Sequence, residues 1–192
     1  MINSSSRMKE NFVLRPITIV FLIVQIILLA ACTTAPKRPP SSALPQDQVQ
    51  ILKNMRLSTT LPVPVDDITR KTLKDTWGAS RSQGRAHEGI DIMAPRGTKV
   101  FSATDGLIAD LRNNNLGGKV IWVMGPAGSW HYYAHLDAHK RGLNIGDCVK
   151  KGDVIGYVGN TGNARHTSPH LHYGIYLNGK GRGAVNPFLY LR

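Results

Sequence analysis

The chain has 192 residues, of which 42% are hydrophobic and 19% charged, a composition that fits one globular domain with appended segments. An excess of 24 lysines and arginines over 12 aspartates and glutamates gives a formal net charge of +12, which favours a polyanionic partner such as nucleic acid, anionic lipid or an acidic polymer. With only two cysteines, the chain has no disulfide framework.

Residues 1–31 have the pattern of a secretory signal segment. Three basic residues precede an apolar run over 17–31, which is shorter than the roughly 20 residues that a spanning helix needs. The run ends in Leu-Ala-Ala before Cys32, which is similar to the site where bacterial lipoproteins are cleaved and lipidated. We therefore expect a lipid anchor on Cys32, and the alternative is an ordinary amino-terminal membrane helix.

Residues 32–75 are predicted to be the lipidated cysteine followed by a flexible, proline-rich tether. Six of the eleven prolines lie between residues 33 and 64, and they favour extended, unpacked backbone. Within this segment, residues 47–56 have helical spacing of apolar side chains but are too few for a helix stable by itself. Whether that helix packs on the domain stays open at this point.

The domain is expected to span residues 76–192 and to be all-β. Seven segments are of strand length, rich in β-branched or aromatic residues, and bounded by turn-forming residues. These segments are 89–93, 99–103, 107–111, 120–124, 131–136, 154–158 and 171–176. Because no long segment keeps a 3.6-residue period, we predict an antiparallel sandwich or a partly open barrel of short strands.

Two histidines near the end of the chain, His170 and His172, are separated by one residue. Side chains alternate between the faces of a strand, so both imidazoles are expected on one face, opposite Leu171 and Tyr173. Such a pair suits two metal ligands, or one ligand beside an acid/base group. For an isolated His-x-His, the ordinary alternative is a strand whose histidines face solvent.

Two further segments, HEGID and YAHL, add His87, Asp91 and His135. Imidazole nitrogen and carboxylate oxygen are ligands of a catalytic zinc ion, which keeps three protein ligands and an open fourth position. Three ligands and two acid/base groups require five side chains, and the three segments together supply five.

The HEGID segment is superficially similar to the helical HExxH motif of one class of zinc peptidases, in which the glutamate is the base. Gly89 and the nearby Pro95 disfavour a helix at this point. We therefore place His87 in a loop that enters the strand of Asp91, and strand alternation then turns Glu88 away from the metal.

Six segments, in order between about residues 77 and 187, carry a family resemblance: HEGID, APRGTKV, YAHL, GDCVKKGDVIG, GNTG and PHLHY. They resemble the lysostaphin-type (LytM-like) zinc metallopeptidases, which cut peptide bonds in peptidoglycan. The resemblance implies one Zn²⁺ bound by His87, Asp91 and His172, with His135 and His170 as catalytic histidines. The chain departs from the pattern at Gly174, where a glutamate is common, and over residues 166–168.

The resemblance also implies a function. It points to a zinc-dependent endopeptidase that hydrolyses peptide cross-links in peptidoglycan, as a lipid-anchored protein of the cell envelope at the outer membrane, facing the periplasm. One alternative is a non-catalytic peptidoglycan-binding module that activates a cell-wall amidase, its candidate partner. Another is a zinc carrier or closed structural zinc site. Nucleic acid is not expected, because the export signal and the scattered basic residues argue against it.

Four remaining residues receive no catalytic role. His131 and His135 are an even number of residues apart, so strand alternation puts both on one side, and only the family pattern favours His135. His131 is therefore expected at the rim of the site or on the surface. His139 is expected in an exposed loop, His166 near the site, and Cys148 as a buried thiol at a strand edge.

Overall fold

The computed structural model describes residues 44–192. The predicted signal segment, Cys32 and the first part of the predicted tether lie outside the described residues. Between residues 44 and 192, no helix has the length and apolar character needed to cross a membrane.

The described chain begins with one α-helix and continues as a series of strands. The helix, α1, is Gln46–Asn54. The strands are β1 (Ile90–Met93), β2 (Lys99–Phe101), β3 (Gly106–Asn114), β4 (Gly118–Met124), β5 (Trp130–His139), β6 (Cys148–Val149), β7 (Val154–Val158), β8 (His170–Tyr176) and β9 (Ala184–Val185). Short 3₁₀ segments lie at Arg70–Thr72, Ser82–Gly84, Pro126–Gly128, Gly162–Ala164 and Pro187–Leu189.

All nine strands join one antiparallel, branched sheet. Its main path runs β1-β8-β5-β4-β3-β6, while β2 pairs with β7, β7 with β5, and β9 with β8. The predicted all-β antiparallel fold is confirmed, in an open form. All seven predicted strand segments are strands, and the sequence did not predict the two-residue strands β6 and β9.

The strand β8 shows how the sheet divides core from surface. Leu171, Tyr173 and Ile175 are fully buried on one face, where the side chains of the main core pack. His170 and His172 lie on the other face, as the alternation of the strand predicts. The hydrophobic face thus fixes the orientation of both histidines.

The strand β5 changes partner near its middle. Its residues 130–134 pair with β8, and its residues 136–139 pair with β7. His135 lies between the two ladders and has a φ of 63°, a left-handed conformation that is uncommon outside glycine. The alternation of side chains is interrupted at this residue.

The amino-terminal part of the described chain is not a tether. Leu61 and Val65 are each 2% exposed and belong to the main core. Leu61 forms a parallel bridge with Leu191, and Val65 an antiparallel bridge with Val100. The predicted tether over 32–75 is therefore wrong from residue 44 onward. The prolines do favour extended backbone, but the apolar residues between them are buried, which orders the segment.

The helix α1 also packs on the domain, which decides the question that the sequence left open. Val49 and Leu52 are buried against Leu107 of β3 and Met124 of β4. This second, smaller cluster supplies the tertiary contacts that so short a helix needs for stability.

The position of Cys148 differs from the prediction. Its side chain is exposed rather than buried, and its thiol donates a hydrogen bond of 2.8 Å to Oε1 of Gln48 in α1. The difference arises because β6 is a two-residue strand that pairs only with β3, so one of its two side chains faces outward.

Candidate metal centre and its cleft

Three of the predicted side chains converge on one point. Nε2 of His87 lies 2.8 Å from Nδ1 of His172 and 3.1 Å from Oδ1 of Asp91, and Nδ1 of His172 lies 3.2 Å from the same oxygen. Asp91 and His172 are directly paired in the ladder between β1 and β8. Residues 81 positions apart in the chain are thus brought into contact by sheet register.

The donor set fits a zinc ion. Zinc–nitrogen and zinc–oxygen bonds of about 2.0–2.2 Å at a tetrahedral centre place neighbouring ligand atoms about 3.3–3.5 Å apart. The separations of 2.8 to 3.2 Å between the three atoms are slightly shorter, so a small outward movement accommodates the ion. Two imidazoles and a carboxylate are also a donor set of catalytic zinc sites.

Thr76 supports two of these side chains at once, and no sequence pattern marked it. Its carbonyl oxygen lies 2.7 Å from Nδ1 of His87, and its hydroxyl accepts a hydrogen bond of 3.0 Å from the amide of Asp91. Donation from Nδ1 of His87 to the carbonyl leaves Nε2 with its lone pair directed at the cluster. Such outer hydrogen bonds fix the tautomer and the orientation of metal-binding histidines.

The carboxylate of Asp91 divides its two oxygens between different partners. Oδ1 faces His87 and His172, while Oδ2 accepts a hydrogen bond from Nη2 of Arg81. Burial raises the pKa of Asp91, but hydrogen bonds and favourable charge interactions with the two histidines outweigh it and hold the pKa below its ordinary value. Asp91 is therefore ionised at neutral pH, as a metal ligand must be.

His135 and His170 lie beside this cluster with their rings 5.0 Å apart. Nδ1 of His135 lies 2.9 Å from the carbonyl oxygen of Thr161, and Nδ1 of His170 lies 2.8 Å from that of Ser168. When each Nδ1 donates to its carbonyl, each Nε2 is left to accept a proton. Burial, followed by repulsion from His172 and His170, lowers the pKa of His135 to about 4, so its imidazole is neutral at pH 7.

The structure separates His135 from His131. His131 is fully buried on the core side, where Nδ1 is 2.7 Å from the hydroxyl of Tyr173 and Nε2 is 3.1 Å from that of Ser129. The prediction of a rim or surface position for His131 is wrong. The left-handed backbone at His135 breaks the alternation that would have put both histidines on one face.

Three other residues lie outside the cluster. Glu88 is exposed and lines the same cleft, but it is not one of the three side chains that converge on the candidate metal site, so its expected bystander role stays a prediction. His139 is half-buried at the end of β5, so the prediction of an exposed loop is wrong. His166 is exposed and does not contribute to the walls of the site in the described chain.

The five side chains lie in a cleft of about 790 Å³. Its walls also include Arg81, Arg85, Met93, Leu116, Tyr132 and Tyr176. Met93 and Leu116 are apolar residues that are about half exposed, at 53% and 51%. The cleft thus offers cationic, aromatic and apolar contacts around the histidines.

The sequence of the domain matches a known family over the same residues that build this site. Residues 85–187, which include all five side chains, match peptidase family M23. The chain belongs to peptidase family M23. This membership confirms the resemblance drawn from the sequence motifs, and with it the assignment to the metallopeptidases.

Curated relatives agree with the family. The chain is 37% identical over 139 residues to the L-Ala–D-Glu endopeptidase of Bacillus subtilis, a match that covers 68% of this chain and 42% of that protein. It is 37% identical over 97 residues to the peptidoglycan DD-endopeptidase ShyC of Vibrio cholerae, covering 50% of this chain and 22% of the relative. The chain thus spans less than half the length of these relatives.

Solved structures of the family have the same fold. A glycyl-glycine endopeptidase of the LytM type from Ruminococcus gnavus is 37% identical, with a TM-score of 0.55 over 71% of this chain and 59% of that chain. The catalytic domain of lysostaphin from Staphylococcus simulans is 28% identical, with a TM-score of 0.54 over 73% of this chain and 96% of that domain. The M23 domain described above is therefore of the lysostaphin type.

Proposed function

We propose that this M23 protein is a zinc-dependent endopeptidase that hydrolyses peptide bonds in peptidoglycan. The observation that carries the proposal is the convergence of His87, Asp91 and His172 beside two further histidines in one open cleft. Relatives of this chain are named as endopeptidases of peptidoglycan or of its stem-peptide bonds, which supports the same substrate class.

The chemistry follows from the groups that face the cleft. Zinc, when bound by the three ligands, supplies a Lewis acid that polarises a scissile carbonyl and lowers the pKa of water. His135 and His170, with Nε2 free, accept the proton of an attacking water and return it to the departing amine. Because no serine or cysteine is required as nucleophile, we expect no acyl-enzyme.

His135 and His170 lie near different members of the proposed ligand set. Nε2 of His170 lies 4.0 Å from Oδ1 of Asp91, whereas the ring of His135 lies 5.9 Å from that of His172. His170 on β8 is therefore near the carboxylate of Asp91, and His135 lies on the neighbouring strand β5, beside the ring of His172. Both belong to the catalytic machinery in this proposal.

Product analysis tests the function. The purified protein, loaded with one equivalent of Zn²⁺, is incubated with isolated peptidoglycan, and the released fragments are identified by mass spectrometry. New ends within stem peptides or cross-links support an endopeptidase and show which bond is cut. Intact stems freed from sugar indicate an amidase instead. A folded, zinc-loaded protein without products favours the binding module that activates an amidase.

We also propose that the protein is anchored by lipid on Cys32 at the outer membrane, facing the periplasm. The Leu-Ala-Ala-Cys pattern supports this proposal. Eleven residues, 33–43, separate the cysteine from the packed segment, so the link reaches at most about 40 Å when fully extended. The anchor then holds the domain within that distance of the membrane, and the domain can act only on peptidoglycan that lies equally near.

The anchor is tested by labelling cells with palmitate. Wild-type protein should carry the label and partition with membranes, because two or more acyl chains anchor far better than one. The Cys32→Ser variant should lose the label and leave the membrane fraction. Labelling that persists in this variant contradicts the anchor without affecting the proposed hydrolysis.

A further inference from the structure

We propose that Arg81 is a positioning residue that holds the Asp91 carboxylate so that only one of its oxygens faces the metal site. This inference rests on the zinc site of the proposed function. It gives Arg81 the role of holding the carboxylate oxygen that faces away from the metal. Arg81 lies outside the residues that the family match covers, 85–187.

The carboxylate is held from two sides. Its Oδ1 lies 3.1 Å from Nε2 of His87 and 3.2 Å from Nδ1 of His172, which are the other proposed ligand atoms. Its Oδ2 is bound by Nη2 of Arg81. An aspartate that is free to rotate about its last side-chain bond can offer a metal one oxygen or both. The ion pair with Arg81 occupies Oδ2, so Oδ1 alone is presented.

The backbone holds Arg81 in place for this contact. Residues 79–87 form a hairpin in which Ser80 bridges Ala86, the Arg81 amide donates to the Arg85 carbonyl, and the His87 amide donates to the Ala79 carbonyl. One arm of the hairpin therefore carries Arg81 and the other ends at the ligand His87. The hairpin therefore positions both the proposed ligand His87 and Arg81, which holds the second proposed ligand, Asp91.

The chemistry of arginine suits the task. The guanidinium is cationic at all relevant pH values, and its hydrogen bonds to carboxylates are charge-assisted and directional. The side chain of Asp91 is 19% exposed and that of Arg81 36% exposed, so water competes only partly for the pair. Arg81 also carries a positive charge, which by itself opposes a bound cation. We infer that orientation outweighs this repulsion.

The chain offers a matched control in the same hairpin. Arg85 also lines the cleft and carries the same charge, but within residues 44–192 its guanidinium bonds only to the carbonyl and hydroxyl of Ser82, at 3.3 Å. Removing Arg85 therefore changes the charge of the cleft without releasing Asp91. A difference between variants of Arg81 and Arg85 reports the contact with Asp91 and not the loss of a charge.

The test measures metal binding in the purified full chain, with Zn²⁺ affinity from competition with a chromophoric chelator. Arg81→Ala should weaken Zn²⁺ binding by about 10- to 100-fold, the usual effect of removing a partner of a metal ligand. Arg85→Ala should leave the affinity unchanged or raise it slightly, because it removes a positive charge from the cleft without releasing Asp91. Unchanged Zn²⁺ binding in Arg81→Ala overturns the inference. Tighter binding also overturns it, because it would show that Arg81 competes with the metal for Asp91.

The visible spectrum of Co²⁺ in the same site reports the coordination directly. With Oδ2 released, Asp91 can bind through both oxygens, so the Co²⁺ band of Arg81→Ala should lose intensity as the coordination number rises. A wild-type band in Arg81→Ala overturns the inference, even where the affinity falls. Equal melting temperatures of the metal-free proteins exclude a folding defect as the cause of weaker binding.

The proposed zinc site itself is checked separately. Wild-type protein should bind one Co²⁺, and Asp91→Ala should bind none at that site. A wild type that binds no Co²⁺ contradicts the metal centre of the proposed function together with this inference, whereas a normal wild type beside an unaffected Arg81→Ala contradicts only the role of Arg81.

Discussion

The backbone of Gly89 lies in contact with the imidazole of His172. A β-carbon built on Gly89 would be 2.7 Å from Cε1 of that ring and 2.6 Å from the carbonyl oxygen of Tyr173, distances that real side chains do not adopt. The glycine of the HEGID segment is therefore required by the close approach of β8, and the absence of its side chain permits the position of a proposed zinc ligand.

Gly89→Ala should displace His172 and weaken Zn²⁺ binding together with activity. Forcing an extra carbon into so close a contact should also cost about 1–3 kcal/mol of folding free energy. Zinc content and the free energy of unfolding of the purified variant measure both effects. Gly174→Ala is the control, since a β-carbon there would lie 3.0 Å from the movable ring of Tyr176 and 3.1 Å from the carbonyl oxygen of Glu88, looser contacts than those at Gly89, and should leave zinc bound.

Substitutions of four of the site residues should fall into two classes. Asp91→Ala and His172→Ala should lose both zinc and activity, because each removes a ligand atom of the cluster. His135→Ala and His170→Ala should keep zinc and lose turnover, because their Nε2 atoms act on protons. Elemental analysis beside a hydrolysis assay decides the assignment, and full zinc content in His172→Ala contradicts it.

Glu88→Gln should change kcat only slightly. Glu88 lines the cleft but is exposed and is not one of the clustered side chains, and the proposed proton carriers are His135 and His170. Loss of a true general base would lower kcat by about 10²- to 10⁴-fold. A decrease of that size with zinc still bound would show that Glu88 takes the proton.

Acid should destabilise the domain through His131. Burial lowers the pKa of His131 from its ordinary value of 6.5 to about 3, so the unfolded chain takes up a proton that the folded chain refuses between these values. Its contribution to stability is complete above pH 6.5 and declines below it, by about 1.4 kcal/mol per pH unit, until about pH 3.

Unfolding measured by denaturant at several pH values checks this linkage. His131→Gln should be less stable at pH 8, because hydrogen bonds to Tyr173 and Ser129 are disturbed, but should lose less stability between pH 6.5 and 5 than the wild type. The exposed His166, changed to Gln, should keep the wild-type slope. Equal slopes in all three proteins would exclude His131 as the source.

Leu61→Ala should destabilise the domain by about 2–5 kcal/mol, as expected for a leucine removed from a packed core. Leu61 is 2% exposed and bridges Leu191 at the other end of the chain, although it lies in the segment predicted to be a tether. The exposed Leu189, at 63%, is the control and should cost about 0.5 kcal/mol or less. A Leu61→Ala variant as stable as this control would support the prediction that this segment is a tether.

Much of the fold and of the site could be predicted because the relevant signals are local. Strand length, β-branched composition and turn residues marked seven of the nine strands. The period of two in a strand put His170 and His172 on one face, opposite Leu171 and Tyr173. The family motifs then named the five side chains that the structure brings together in one cleft.

Other features depend on contacts between distant residues, for which one sequence has no signal. Thr76 and Arg81 contact the proposed metal ligands through a carbonyl, a hydroxyl and a guanidinium, and the path of a hairpin and a loop sets these contacts. The segment from residue 44 to 75 has the composition of a tether, yet Leu61 forms a bridge with Leu191 and Val65 forms a bridge with Val100 of β2, both of which follow later in the chain.

The sequence by itself determined the all-β fold and the residue types of the site, because side-chain alternation and turn chemistry act over a few residues. Side-chain alternation could not separate His131 from His135, and only the family pattern favoured His135; the physical reason for the difference lies in the tertiary structure. The strand β5 exchanges β8 for β7 at His135, and the left-handed backbone there turns His135 into the cleft while His131 stays in the core. That reversal depends on which strands pair across the sheet, and strand pairing is a property of the whole domain.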